Sequence, residues 1–177
     1  MNKWLDEGLA TYYEPVIRAR VGWRSEQDLW QELTYDMPQG LAAMERQGLD
    51  NSQDYRDIYW GGAMLAFVAD VRIRERTQNR LGLEDGLRAV LARGGHAGTV
   101  WTIDKAVSVV DRAVGVSVLG TLVAKHRKQG TPVGFDNILK ELGVARSDDG
   151  VVLDGNASLA PIRNRIVRPL PQTVDAP

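Results

Sequence analysis

The chain has 177 residues, 44% of them hydrophobic and 25% charged, with a formal net charge of −1 and no cysteine. That is enough for one domain with its own core. The near-neutral charge argues against a nucleic-acid or anionic-membrane surface, and the absence of Cys excludes disulfides, thiolate metal sites and thiol nucleophiles.

In chain order, Trp4, Leu5, Leu9, Tyr12 and Tyr13 recur at spacings of three and four, which predicts a first helix from about Lys3 to Val21, bent near Pro15 and stopped at Gly22. Glu7 and Thr11 stand one turn apart at the edge of this stripe. Gly8 is costly inside a helix, by roughly 1 kcal/mol against Ala, so its position implies a close approach by something else. Ser25 reads as the cap of a second helix, with Leu29, Trp30, Leu33 and Met37 on its buried face. Pro38 and Gly40 interrupt it, a short helix covers 41–47, and the polar stretch 48–57 reads as a surface loop.

The apolar run from Ile58 to Ala69 is too short to span a membrane and too continuous for a surface helix, so it predicts the central buried helix. Arg72, Arg74 and Arg76 read as its solvated end. Further helices are expected over 83–92, from Thr102 to Gly115, over 116–128, over 134–142 and over 158–167. Ser147-Asp148-Asp149-Gly150 beside Val151-Val152-Leu153 predicts a small hairpin. Pro169, Pro171 and Pro177 mark a tail expected to be disordered. The predicted architecture is an all-α, multi-helix lobe over 1–168 with one small β-hairpin near its C-terminus. No transmembrane run or signal peptide is visible, and the sequence assigns no compartment.

The segment Trp4-Leu5-Asp6-Glu7-Gly8-Leu9-Ala10-Thr11-Tyr12-Tyr13 resembles the part of gluzincin zinc metallopeptidases that carries the third metal ligand. These are the aminopeptidase N-like and glycyl aminopeptidase-like enzymes, in which an earlier helix supplies His-Glu-x-x-His and a Trp-x-x-Glu-Gly segment completes the site. The resemblance implies Glu7 as the zinc ligand, in a two-His-one-Glu site with one open position. Tyr59-Trp60-Gly61-Gly62 is similar to their Tyr-Glu-Lys-Gly and implies Tyr59 as the catalytic hydroxyl that donates to the oxyanion; Trp60 and Gly61 replace the Glu-Lys pair. Thr11 is implied as a residue orienting a ligand. Looser similarities run through 83–88 and 154–163.

The remainder of the motif is absent, since the only histidines, His96 and His126, lie outside any His-Glu-x-x-His. His96 reads as a loop residue and His126 as part of a basic, solvated helix face. The resemblance therefore implies the C-terminal lobe of a zinc-dependent aminopeptidase-like catalytic domain that lacks two of three metal ligands and the general base. It implies zinc in the complete enzyme and none held by this chain alone, a peptide substrate, and the preceding half of the catalytic domain as partner. An exposed apolar surface around Trp4, Leu5 and Tyr59 and self-association are expected with it. The alternative is a non-catalytic helical module derived from such a peptidase, whose Glu7 groove binds a partner. If Glu7 and Tyr59 serve one site, their helices must pack together and hold the two groups roughly 5–9 Å apart, the width of a metal and a substrate carbonyl.

Overall fold

The computed structural model describes residues 3–96 and 98–169. The chain is mostly helical, with α1 (Lys3–Arg20), α2 (Glu26–Asp36), α3 (Tyr55–Arg76), α4 (Leu83–Ala92), α5 (Ile103–Val114), α6 (Leu119–His126), α7 (Phe135–Leu142) and α8 (Ala160–Ile166). Short 3₁₀ and π turns over 37–51 join α2 to α3. The strands β1 (Val144–Ser147) and β2 (Gly150–Leu153) pair antiparallel, with Val144 opposite Leu153 and Ser147 opposite Gly150. The mostly helical architecture with one small antiparallel hairpin is thus observed. The expected disorder of the tail concerns residues that, from 170 onward, lie outside the described ones.

Helix α3 is the axis of the fold. Every residue from Gly61 to Val71 is buried, so the helix presents no solvent face there and must be wrapped. Phe67, fully buried at its centre, meets aromatic rings from three other helices: Tyr12 of α1, Trp30 of α2 and Phe135 of α7, at centroid distances of 6.0, 6.4 and 5.9 Å in edge-on geometry. Ser25 caps α2 as read from the sequence: its hydroxyl accepts from Asp28 N at 3.0 Å, and Asp28 Oδ2 accepts from Ser25 N at 3.0 Å. That cap fixes where α2 starts, and its predicted face (Leu29, Trp30, Leu33, Met37) is buried. The hairpin lies against α2, where Gln27 donates to Val151 O and Tyr35 Oη donates to Gly150 O at 3.1 Å. Buried Arg163 of α8 donates to the carbonyls of Leu142, Gly143 and Asp154 at 3.0, 3.1 and 2.8 Å and closes this end of the lobe.

Helices α1 and α3 run parallel and touch backbone to backbone. Trp4 and Gly8 meet Gly62, and further along Tyr12 meets Phe67 and Asp70. A Cβ on Gly62 would overlap the Trp4 carbonyl oxygen and stand 2.8 Å from Gly8 Cα; one on Gly8 would overlap the Gly62 backbone. The close approach implied by Gly8 is therefore made by α3, and only a residue without a side chain fits on either helix.

Three local expectations are corrected. Helix α3 starts at Tyr55, capped by Asp54, whose Oδ1 accepts from Arg56 N at 2.8 Å, so the helix takes in residues read as loop. Polarity hid this start, because the first turn carries Arg56 and Asp57 on its solvent side. The 116–128 helix is shorter, Leu119–His126, because Asp111 accepts from Leu119 N and Gly120 N, both at 2.9 Å, and sets its first turn. Arg74 is no solvated helix end: its side chain is 1% exposed.

Arg74 belongs to a buried polar cluster between α1, α3 and α4. Asp70 accepts from Tyr12 Oη at 2.8 Å and from Leu83 N at 2.8 Å, and its Oδ1 faces Arg74 Nε at 3.1 Å. Arg74 Nη2 donates to both oxygens of Glu84 at 2.7 Å, and Arg20 reaches Glu84 at 3.2 Å. Burial pushes the Asp70 carboxyl above its ordinary range despite Arg74. Burial also pushes Glu84 up, but the Arg74 guanidinium and its hydrogen bonds outweigh that and hold it below.

Candidate functional site at the α1–α3 junction

Parallel packing puts the first turns of α1 and α3 on one side of the lobe. Glu7 is the fifth residue of α1 and Tyr59 the fifth of α3. The glycine contact removes the side-chain layer that normally separates two helices, so the flanking residues are brought together. Tyr59 interacts with the Glu7 side chain, and that interaction, ahead of desolvation, raises the phenol pKa above its ordinary value. Both residues are half-exposed. The two residues the motif pairs are thus near enough to interact.

Three neighbours differ from expectation. Thr11 donates its hydroxyl to the backbone carbonyl of Glu7 at 2.8 Å, not to the carboxylate, so it secures the helix turn without aiming the acid. Trp4 and Leu5 are buried, at 3% and 7% exposure, so the expected apolar surface is absent at these two residues. The cause is local: Trp4 packs at the α3 crossing while its Nε1 donates to Asp50 Oδ1 at 2.9 Å. The large apolar side chains that are exposed include Trp23, Val21 and Ile17 at the far end of α1 and Tyr55 at the start of α3.

Tyr55 is the residue that sequence reasoning missed. One turn before Tyr59, it stacks on that ring with centroids 4.1 Å apart and planes 29° from parallel. The i, i+4 spacing of the two tyrosines carried the signal, but the loop reading of 48–57 placed Tyr55 outside the helix.

The histidines do not join the site. His126 is buried, contrary to its reading as part of a solvated face, and its Nδ1 lies 2.9 Å from Met44 O. His96 Nδ1 accepts from Gly98 N at 3.1 Å in the α4–α5 loop. Among the described residues no three His, Cys, Asp or Glu side chains converge to hold a metal ion. Glu7 alone does not fit a zinc site, which takes about three protein ligands. No helix among the described residues is long and apolar enough to cross a membrane.

Set against known proteins, the chain matches no family, no curated protein and no solved structure.

Proposed function

We propose that the α1–α3 junction is the carboxylate-and-phenol portion of a gluzincin-type hydrolytic site, and that the chain is the helical C-terminal part of a zinc-dependent aminopeptidase-like catalytic domain. The observation that carries this reading is the meeting of Glu7 and Tyr59, two residues far apart in sequence that the motif resemblance assigns to one site. In that role Glu7 offers a carboxylate to a metal and Tyr59 a hydroxyl to an oxygen on which negative charge develops. The lobe supplies rigidity, since both groups stand on helices locked by a backbone contact. The two His ligands and the general base are not among the residues of the motif present here, so no hydrolytic step belongs to this chain alone.

The experiment is to read the genomic DNA upstream of Met1. An in-frame His-Glu-x-x-His about one helix earlier, with zinc-dependent peptide hydrolysis by the joined product that is lost in Glu7→Gln, supports the proposal. Its absence overturns it.

A second reading is favoured by Tyr55, which is 66% exposed and stacks on Tyr59 at the same end of the helix. On that reading the lobe is a non-catalytic helical module whose Glu7 end receives a partner.

A further inference from the structure

Helices α4 and α5 pack as an antiparallel pair, with Gly86 against Val110 at one end and Gly95 against Val90 and Trp101 at the other. A Cβ on Gly95 would stand 2.5 Å from Val90 Cγ1 and 3.4 Å from Trp101 Cδ2, so Val90 and Trp101 meet across the hairpin beside its loop. The next residue toward the loop on each arm is apolar and exposed: Leu91 at 63% and Val100 at 88%. The loop is braced, since Thr99 Oγ1 donates to Gly94 O at 2.8 Å and accepts from His96 N at 3.0 Å. Trp101 is half-buried, and Lys105 holds its ammonium 3.8 Å from the centroid of the indole ring.

Charge at this end is one-sided. Residues 86–103 contain no Asp or Glu but carry Arg88 and Arg93, with Lys105 just beyond. The acids that flank the run are both engaged, Asp85 with Arg88 at 2.7 Å and Asp104 with Arg127 at 3.5 Å. Among the described residues Arg93 and Lys105 have no carboxylate partner. The net charge of −1 therefore averages over a segregated surface and leaves room for a local cationic end. Exposed apolar side chains among free cations fit a surface that is negative outside and apolar within, the order of an anionic lipid interface. Leu91 and Val100 stand on opposite arms of the hairpin, so an occupant must surround the loop end to cover both. A fluid interface does this and one flat protein face does not. Tryptophan suits the boundary between headgroups and acyl chains, and the braced loop has little freedom left to lose on docking.

We propose that the α4–α5 hairpin docks end-on on an anionic lipid surface, with Leu91 and Val100 entering the interface and Arg93 and Lys105 meeting the headgroup phosphates. The inference rests on neither reading of the α1–α3 junction and stands or falls apart from both.

The test is co-sedimentation of the full chain with vesicles of phosphatidylserine mixed with phosphatidylcholine, against phosphatidylcholine alone. Binding to the mixed vesicles is expected, half-maximal on the order of 1 mM accessible lipid, weaker than a single myristoyl chain gives. It should fall as salt is raised. Val100→Ser should weaken it about tenfold, because an apolar side chain no longer leaves water. Arg93→Gln should weaken it about fivefold, the worth of one basic residue at an anionic surface. Both side chains are exposed, so the variants should keep the wild-type circular dichroism. Brominated acyl chains should quench tryptophan fluorescence in the wild type and much less in Trp101→Phe. Equal binding to both kinds of vesicle would overturn the proposal. So would undiminished binding by Val100→Ser, which would leave only adsorption of charge. Absence of vesicle binding, together with retention on polyglutamate that is lost in Arg93→Gln, would reject the membrane and assign this end to an acidic protein partner.

Discussion

Gly62 rests on the Trp4 carbonyl, so that a single methyl group added there would overlap the backbone of α1. The neighbouring atoms are main chain on both sides and cannot rotate away. Gly62→Ala must therefore move one helix off the other, and overpacking of this kind costs about 1–3 kcal/mol, with rigid neighbours placing it at or above the upper end. Gly155, with nothing within 4 Å of an added Cβ, is the control. Urea denaturation should show a lowered midpoint for Gly62→Ala and little change for Gly155→Ala. Equal midpoints would mean that the helices do not touch as described.

Much of the fold was legible because it rests on local chemistry. The Ser25–Asp28 cap, the Thr102 cap with its bond from Lys105 N at 3.2 Å, and the turn at Ser147–Gly150 each follow from residues a few positions apart. The partner of Gly8 was not legible, since a glycine announces a close approach without naming who approaches. The fate of Arg74 was hidden for a similar reason. An Arg on an apolar helix and an Arg at a solvated helix end look the same until Asp70 and Glu84 are placed beside it. At the site, the motif suggested that Glu7 and Tyr59 belong together, whereas Tyr55 was lost because helix starts written in polar residues read as loop.

Asp70 is a fully buried carboxylate with partners on α1, α3 and α4. It receives the Tyr12 hydroxyl and the Leu83 amide at 2.8 Å each, and it faces Arg74. Asp70→Ala strands two buried donors and leaves Arg74 with Glu84 alone. Removing one partner of a buried ion pair costs about 3–5 kcal/mol. Tyr12→Phe removes one hydrogen bond to a charged group and should cost about 1.5–3 kcal/mol. In a double-mutant cycle the two losses should not add, because both act through the Tyr12–Asp70 bond. Additive losses would show that Tyr12 and Asp70 are stabilised independently.

The purified 177-residue chain should not hydrolyse peptides. The described residues hold no three converging metal ligands, and the motif supplies only the one carboxylate, Glu7. Aminopeptidase substrates incubated with the chain and zinc should be cleaved no faster than with buffer. Chelator-sensitive turnover that disappears in Glu7→Gln would refute this and would require metal ligands from elsewhere, such as a second copy of the chain.

His126 should make the protein less stable toward acid. Its ring is buried, and its Nδ1–H donates to Met44 O at 2.9 Å, which fixes a neutral tautomer with the proton on that nitrogen. Burial lowers its pKa most. The Lys125 charge lowers it further, while the Met44 bond and Glu45 pull the other way without prevailing. The folded value therefore lies below the unfolded value of about 6.5. Above that pH both states are neutral and His126 has no effect on the pH slope. As pH falls through about 6.5 the unfolded chain takes up a proton that the folded chain refuses, so stability drops until the folded value is passed, by up to about 1.4 kcal/mol per pH unit. Glu84, whose folded pKa is depressed, adds its own loss at lower pH. Gln at position 126 can still donate to Met44 O but cannot titrate. Urea midpoints measured between pH 5 and 8 should fall with acid in the wild type and stay flatter in His126→Gln. Parallel slopes, or a histidine titration by NMR at or above the ordinary value, would show that the ring is not held neutral by its surroundings.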